Sequence, residues 1–251
     1  MRTLLGKLDE IAMARLTEFE SVALDKSPDG YYVAYSGGKD SDVILDLVRR
    51  SGVKYTAHHN LTTCDPPEVV RHVKTQSDVV IDRPEMTMWQ LIRKNGMPPR
   101  RNARYCCRVL KERGGENHIV VTGVRWGESP ARAKRRMIES CYRDKSKQFI
   151  NIIIDWSTSD VWEYIRNHKI AYCGLYDEGF KRIGCVLCPM NRNIQEQIKR
   201  WPRIAKAWEK AIKATYVKDK TGFKTAEEYW QWWLDRDCAA PKDNQMLFFV
   251  D

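Results

Sequence analysis

A chain of 251 residues, 43% of them apolar, is long enough for one large domain or two small ones and too hydrophobic to be disordered. No apolar run approaches the roughly 20 residues of a membrane-spanning helix. The charged, amphipathic opening MRTLLGKLDEIAMARL lacks the apolar stretch of a secretion signal, so a soluble cytoplasmic protein without membrane contact is expected. The net charge of +10 is concentrated: Arg100–Lys147 holds 14 Lys/Arg against 5 Asp/Glu, a local +9. Such an excess suits a polyanionic partner (nucleotide phosphate, sulfate or nucleic acid), and it also describes an ordinary solvated basic surface.

Residues 1–28 read as a helix with apolar positions at Leu4, Leu5, Leu8, Ile11, Ala12 and Leu16, ended by the turn Pro28-Asp29-Gly30. YYVAY is a short strand, SGGKDS a loop, and DVILDLVRR a helix with Val43, Ile44 and Leu47 on one face. Ser51-Gly52 closes that helix and VKYTAHHN returns as a strand, which is the repeating unit of a parallel sheet. Pro66-Pro67 opens the helix EVVRHVKTQS, and VVID follows as a strand. TMWQLIRKN (87–95) is helical and is broken by Gly96-Met97-Pro98-Pro99. Residues 103–113 form a helix carrying a Cys pair, HIVVTGV (118–124) and FINIIID (149–155) are strands, and Ser157–His168 is a helix with Ser or Thr as its cap. From about residue 190 the pattern is helical and aromatic, with Trp201, Trp208, Tyr216, Tyr229, Trp230, Trp232 and Trp233. The tryptophans are expected in a core, with a partner surface as the alternative.

The alternation predicts an α/β fold, a mostly parallel twisted sheet flanked by helices with a helical C-terminal region. The division is an N-terminal helical segment (1–28), a central α/β domain (29–190) and a helical, aromatic-rich end (191–251).

The loop Ser36–Ser41 is the first element with chemistry. Gly37 and Gly38 permit a sharp turn and close approach of a ligand, and the backbone N–H groups with the following helix N-terminus form a nest for an anion. Ser36 and Ser41 add hydroxyls and Lys39 a positive charge. A Walker A loop would need Gly at Val33 and Ser or Thr at Asp40, and the GxGxxG spacing is absent too.

Eight cysteines (Cys64, Cys106, Cys107, Cys141, Cys173, Cys185, Cys188 and Cys238) in an intracellular setting point to metal or redox chemistry rather than a disulfide framework. Cys106-Cys107 and Cys185-Val-Leu-Cys188 are the second element, with 77 residues between the pairs. Adjacent side chains on a helix diverge by about 100°, so a vicinal pair converges poorly on one ion but reaches two irons of a larger cluster. Arg104, Arg108, Lys111 and Arg182 nearby in sequence would favour thiolates. A zinc site of Cys185, Cys188, Cys173 and one further ligand is the alternative.

SGGKDS resembles the PP-loop of the adenine-nucleotide alpha-hydrolase superfamily, which binds ATP or a related adenylate, in many members cleaving between the alpha and beta phosphates. The carried residues are Ser36, Gly37, Gly38, Lys39, Asp40 and Ser41. The CC and CxxC pairs resemble those of assimilatory adenylyl-sulfate reductases, which hold a 4Fe–4S cluster on such cysteines: here Cys106, Cys107, Cys185 and Cys188. Cys107-Arg-Val-Leu-Lys111, the run Thr122–Ser129 with Arg132, the pair Asp155-Trp156 with Asp160-Val161-Trp162, and Tyr176–Phe180 before Gly184-Cys185 resemble further ordered motifs of the phosphoadenosine phosphosulfate (PAPS) reductase family. The resemblance covers roughly residues 30–190. It implies nucleotide contacts for Gly123, Arg125 and Arg132, and catalytic contacts for Lys39, Asp40, Lys111 and Arg125, with Mg²⁺ as a companion of ATP.

Two departures stand out. Reductases of the family end in Glu-Cys-Gly-Leu-His, whereas here Cys238 follows Asp237 and no Gly-Leu-His follows it. Where they carry Thr-Gly before Pro-Glu-Thr, this chain has Thr62-Thr63-Cys64-Asp65-Pro66-Pro67-Glu68. Three readings result. One is ATP-dependent activation or sulfur transfer, as in DNA phosphorothioation and tRNA thiolation enzymes, with a nucleic-acid acceptor on the basic 100–147 segment and a sulfur-donor protein. Another is reduction of adenylyl sulfate or PAPS to sulfite, with Cys238 as nucleophile and thioredoxin as reductant. The third is a nucleotide- and cluster-binding accessory subunit. The first is preferred slightly.

Overall fold

The computed structural model describes residues 4–191 and 193–235, and its described residues form two compact units. The first unit takes the chain through Asn60, then Pro67–Asp82 and Gly114–Ile183. The second takes Leu61–Pro66, Arg83–Arg113 and the chain from Gly184.

The first unit is built on a six-stranded sheet of β1 (Tyr31–Ala34), β2 (Tyr55–Asn60), β3 (Val79–Asp82), β4 (Ile119–Val121), β5 (Ile138–Ser140) and β6 (Gln148–Ile150). The strand order is β3-β2-β1-β4-β6-β5, parallel throughout except for the antiparallel edge strand β5. Val33 registers with Ala57 on one side and Val121 on the other, so β1 lies at the centre. Tyr31, Val33, Val121 and Ile150 are fully buried, as a sheet covered by helices requires. The flanking helices are α1 (Leu4–Lys26), α2 (Lys39–Ser51), α3 (Pro67–Lys74) and α5 (Thr158–Asn167). The buried stripe of α2 is Val43, Ile44, Leu45, Leu47 and Val48. On α1 the stripe is Ala12, Leu16 and Ala23; Ile11, expected inside, is 39% exposed. Arg15 of α1 is fastened by two hydrogen bonds to Asp155, at 2.9 and 2.7 Å.

Three local expectations are corrected. FINIIID is a strand only through Ile150. Asn151–Asp155 turns away while Ile152, Ile153 and Ile154 stay buried, because Asn151 donates to the Arg136 carbonyl at 2.8 Å and holds the chain in a turn. A continuous apolar run marks burial and does not distinguish a strand from a buried turn. β5 lies in the charged stretch RRMIES, which carries no strand signal, and it closes an edge where charges are expected. The segment with the Cys pair is a π-helix over Cys107–Lys111 rather than a regular α-helix.

The second unit is helical, with α4 (Met88–Asn95), α6 (Ile194–Arg200), α7 (Pro202–Lys213), α8 (Lys218–Thr221) and α9 (Ala226–Asp235). Its centre is aromatic. The Trp208 ring stacks on Trp233 at 4.9 Å and meets Trp89 edge-on at 5.4 Å, and Trp233 Nε1 donates to the Pro99 carbonyl at 2.8 Å. Trp208, Trp230 and Trp233 are buried, so these tryptophans are core, while Trp232 is half-buried. Among the described residues no helix is long and apolar enough to cross a membrane.

Candidate functional sites: an anion-binding loop and a buried cysteine cluster

In the first unit the strand order reverses between β1 and β4: the chain steps from β1 outward through β2 and β3, then returns to β4 on the other side. The carboxyl ends of two such strands leave a crevice, the usual ligand position in an open parallel sheet. The loops that leave β1 and β4 are Tyr35–Gly38 and Thr122–Arg125, the two segments singled out in the sequence.

Gly37 takes φ 73, and a Cβ there would lie 2.8 Å from Val73 Cγ2 and 2.9 Å from Val69 Cγ1, so the turn has room only for glycine. Gly38 caps α2. Its N–H donates to Ser41 Oγ at 3.0 Å, Ser41 Oγ donates to the Gly38 carbonyl at 2.7 Å, and Ser36 Oγ donates to Ser41 Oγ at 3.2 Å. The hydroxyls thus shape the loop. The Lys39 N–H donates to the Tyr176 hydroxyl at 3.0 Å, and the Lys39 ammonium lies 5.7 Å from the centre of that ring. Asp40 joins the two loops: Lys39 Nζ sits 3.0 Å from its Oδ2, and Arg125 Nε donates to its Oδ1 at 2.8 Å. Arg125 is 2% exposed and also donates to the Trp156 carbonyl at 3.2 Å. Gly123 lets the second loop close on the first, since a Cβ there would meet Asp40 Cβ at 3.1 Å. Arg132 joins through Glu128, which accepts from the Arg125 N–H at 3.0 Å and pairs with the Arg132 guanidinium. Ser36, Gly37, Gly38, Lys39, Asp40, Ser41, Gly123 and Arg125 therefore form one constellation, with Arg132 linked to it.

Behind the loop lies a polar group that the sequence did not signal. Tyr35 Oη donates to Asp42 Oδ1 at 2.6 Å, and His72 Nε2 lies 2.8 Å from the same oxygen. Burial pushes the Asp42 carboxyl up, against the pull of His72 and Tyr35, and pushes the Tyr35 phenol up as well. Cys173 is buried in this unit, with Asp42, Glu68 and Glu178 as its charged neighbours, and is not found among the proposed ligands.

The second site is assembled in the other unit from Thr62–Asp65, Cys106–Lys111 and Cys185–Cys188. Thr62 Oγ1 lies 3.4 Å from Cys64 Sγ and 3.5 Å from Cys185 Sγ, and the Val186 N–H donates to the Cys64 carbonyl at 2.8 Å. The CxxC turn is held at every residue: Leu187, with φ 57, donates its N–H to Gln197 Oε1 at 2.7 Å, Asn191 Nδ2 donates to the Cys185 carbonyl at 3.1 Å, and Trp208 Nε1 donates to the Val186 carbonyl at 3.0 Å. Thr63 takes φ 66 and accepts the Met88 N–H on its hydroxyl at 2.9 Å. Left-handed backbone at a threonine and a leucine is costly, and such strain concentrates where a site must be held in one shape. The π-helix at Cys107 fits the same pattern.

Electrostatically the cysteines act as pairs. A hydrogen bond from Cys106, with the charges of Lys111 and Arg104, brings the Cys107 thiol down to about 7. Cys64 hydrogen-bonds to Cys185, whose thiol falls to about 6 through that bond and the charge of Lys111. The donating partners, Cys106 and Cys64, are pushed up in turn. Lys111 is exposed, and it keeps its proton firmly chiefly through the charge of Cys185, with Asp65, Cys188 and Cys107 adding to it. Among the described residues no three His, Cys, Asp or Glu side chains close around a single ion. Cys238 lies outside the described residues.

The basic Arg100–Lys147 stretch is divided between the units at Arg113. In the first unit Arg132 and Arg135 pair with Glu128 and Glu139, while Lys134, Arg136, Arg143 and Lys145 are exposed, as is Tyr142 (77%), whose ring centre lies 5.0 Å from the Arg143 guanidinium.

The family description "phosphoadenosine phosphosulfate reductase domain" matches residues 30–191. An uncharacterized protein of Methanocaldococcus jannaschii is 29% identical over 225 residues, 80% of this chain and 45% of the relative, so the chain spans less than half of that protein. An adenosine 5′-phosphosulfate reductase of Staphylococcus haemolyticus is 27% identical over 194 residues, 71% of this chain and 79% of the relative. A crystal structure of the PAPS reductase of Candida auris, a phosphate complex, superposes with a TM-score of 0.53 at 20% identity, covering 74% of this chain and 95% of that one, which is a likeness of fold.

Proposed function

The chain belongs to the phosphoadenosine phosphosulfate reductase family, and on that premise we propose that it is an enzyme that binds ATP at the Ser36–Ser41 loop, activates an acceptor by adenylyl transfer, and serves sulfur insertion with the help of a 4Fe–4S cluster. The observation that carries the reading is the crevice between β1 and β4, where a glycine turn, the N-terminus of a 13-residue helix, Lys39 and the buried Arg125 come together. Such a group of donors and cations suits a polyphosphate. In the proposed reaction an acceptor oxygen attacks the alpha phosphorus, the bond to the bridging oxygen breaks, and pyrophosphate leaves with that electron pair. A sulfur nucleophile from a donor protein then displaces AMP. Lys39 and Arg125 hold the anionic phosphates, Mg²⁺ accompanies them, and Asp40 keeps both cations in place. The acceptor proposed is nucleic acid, on account of the exposed Lys134, Arg136, Tyr142, Arg143 and Lys145.

The cysteine site fits a cluster on its own residues. Cys106, Cys107, Cys185 and Cys188 lie within electrostatic reach of one another, Lys111 lies within reach of Cys107, Cys185 and Cys188, and two of the thiols are held near or below neutrality. One sulfur per iron is what a 4Fe–4S cluster asks of its protein. Bound there, such a cluster supplies a redox-active iron centre able to ligate sulfur. The second reading, reduction of adenylyl sulfate or PAPS by a thioredoxin-like reductant with Cys238 attacking sulfur, is favoured by the likeness to the staphylococcal reductase.

The test is a set of binding and turnover measurements on anaerobically purified protein with ATP, adenylyl sulfate and PAPS. ATP binding with pyrophosphate release, stimulated by nucleic acid and unaffected by Cys238→Ala, is the expected outcome. Sulfite release that needs thioredoxin and is abolished by Cys238→Ala would establish the reductase instead.

A further inference from the structure

Trp126 follows Arg125 directly, and the two differ sharply in burial: Arg125 is 2% exposed and Trp126 45%. Consecutive Cα atoms are about 3.8 Å apart, so an exposed indole stands one residue from the buried cation of the crevice. The ring is held where it stands. The Trp126 N–H donates to the Ile154 carbonyl at 2.8 Å, and Nε1 donates to the Arg135 carbonyl at 2.8 Å. Indole has a single polar group, and that bond consumes it. What the exposed ring offers a ligand is therefore a flat apolar face, and a ring already fixed costs little further ordering on binding.

The charges beside the ring narrow the ligand. Arg135 pairs with Glu139 and Arg132 with Glu128, whereas among the described residues no carboxylate pairs with Lys134 or Arg136, both of which are exposed. These two cations flank the residue whose carbonyl receives the indole N–H. The Arg136 carbonyl in turn accepts from Asn151 Nδ2 at 2.8 Å, which fixes the backbone there. Such surroundings repel a cation and attract phosphate. A flat apolar face with phosphate-binding cations beside it fits a nucleotide whose base is unstacked, since a base inside a duplex has no free face to give.

We propose that Trp126 is a stacking site for an unpaired base of the acceptor strand, with Lys134 and Arg136 on the flanking phosphates. This rests on the reading of the acceptor as nucleic acid and deepens it: the acceptor is single-stranded or looped where it meets the enzyme, and the stacked base brings its nucleotide to the crevice proposed for ATP.

The experiment uses the full chain and a fluorescently labelled single-stranded oligonucleotide, as DNA and as RNA, with the corresponding duplexes. Anisotropy titrations over a range of salt concentrations compare wild type, Trp126→Ala, Trp126→Phe and Arg136→Ala. Trp126→Ala should weaken single-strand binding about tenfold, within the range for one stacked base, with the salt slope, duplex binding and ATP affinity unchanged. Trp126→Phe should recover most of the loss, because any aromatic face can stack. Arg136→Ala should instead lower the salt slope by about 0.7, the value of one phosphate contact on a single strand. Wild-type single-strand affinity in Trp126→Ala overturns the proposal and leaves the nucleic-acid reading standing. A wild type that binds neither strand nor duplex takes down both. The emission of wild type minus that of Trp126→Phe isolates this indole whether or not the alanine variant folds. Quenching by unlabelled oligonucleotide and not by ATP sustains the site, and quenching by ATP alone assigns the ring to adenine and overturns it.

Discussion

The anion-binding loop and the cysteine cluster each hold a lysine, buried at Lys39 and exposed at Lys111, and use it in opposite senses. Around Lys39 two cations, its own ammonium and the Arg125 guanidinium, share one carboxylate, Asp40. The N-terminus of α2 adds positive potential, so the surroundings have an excess of positive charge and suit an anion. Around Lys111 one ammonium faces Asp65 and the thiols of Cys107, Cys185 and Cys188. The positive charges of Lys111 and Arg104 pull the Cys107 thiol down, and Lys111 pulls Cys185 down, so these surroundings favour thiolates. A lysine in a basic stretch therefore reveals its role only through the charges folded against it.

The largest effect is expected from breaking the anionic side of this contrast. Cys185→Ser removes a sulfur that is proposed as a ligand and lies 3.5 Å from Thr62 Oγ1. Iron bound per chain after anaerobic reconstitution should fall more than about tenfold, the lower end of what lesser changes around a metal site cost. ATP binding at the loop should be unchanged. Iron at the wild-type level would remove Cys185 from the ligand set.

On the cationic side, Arg125→Ala leaves Asp40 without its buried partner and strands the Trp156 carbonyl. Breaking a buried ion pair at one end costs about 3 kcal/mol or more. The urea midpoint should shift accordingly at unchanged slope. Lys at this position should not rescue, because a single ammonium cannot serve Asp40 and Trp156 as the guanidinium fork does. A variant within about 0.5 kcal/mol of wild type would show that Asp40 is fully served by Lys39 and that the pair is dispensable.

The order of strands and helices, and the loop between β1 and α2, were legible because each is written in a contiguous stretch: Ser36–Ser41 lies in one turn, and the stripe of α2 recurs at helical spacing. The cysteine site was half legible. The CC and CxxC pairs announce themselves, but Cys64 meets Cys185 only through folding, across a separation as long as the 123 residues between Thr62 and Cys185. The π-helix was invisible for a related reason, since one widened turn answers to what packs around it and not to local propensity. Tyr35, Asp42 and His72 are ordinary residues in sequence that become a buried hydrogen-bonded group only when α3 packs behind the loop. The strand in RRMIES carries charges that suit an edge and hide a strand.

A smaller effect would sharpen the account of the loop. Gly37→Ala places a Cβ at 2.8–2.9 Å from Val73 and Val69 and asks a non-glycine residue to take φ 73. The left-handed conformation alone costs about 1–2 kcal/mol, so ATP affinity should fall about tenfold as the loop opens to relieve it. Gly37→Ala combined with Val73→Ala removes one clash but not the backbone cost, and should recover only part of the loss. Full recovery would mean that contact with α3, rather than the turn, shapes the anion site.

The smallest effect comes from a pair that balances one cation against one anion. Arg49 Nε donates to Asp78 Oδ2 at 2.9 Å, and Tyr55 Oη donates to the same oxygen at 2.6 Å. The Arg49 hydrogen bond, then those of Tyr55 and the backbone, bring the Asp78 carboxyl from 3.8 to about 2. Because the folded-state value is depressed, the stabilisation is complete above the unfolded value and is lost as the pH falls from about 4 through about 2. Both side chains are about a third exposed, so screening holds the contribution below about 1 kcal/mol. Asp78→Asn should lower the urea midpoint slightly at pH 7, and the gap to wild type should close as the pH approaches 2 and narrow in 1 M salt, where the screening length is about 3 Å. A gap that survived both acid and salt would assign the stabilisation to the neutral hydrogen bond from Tyr55. Charge matching in this fold would then matter only where it is buried, between Arg125 and Asp40.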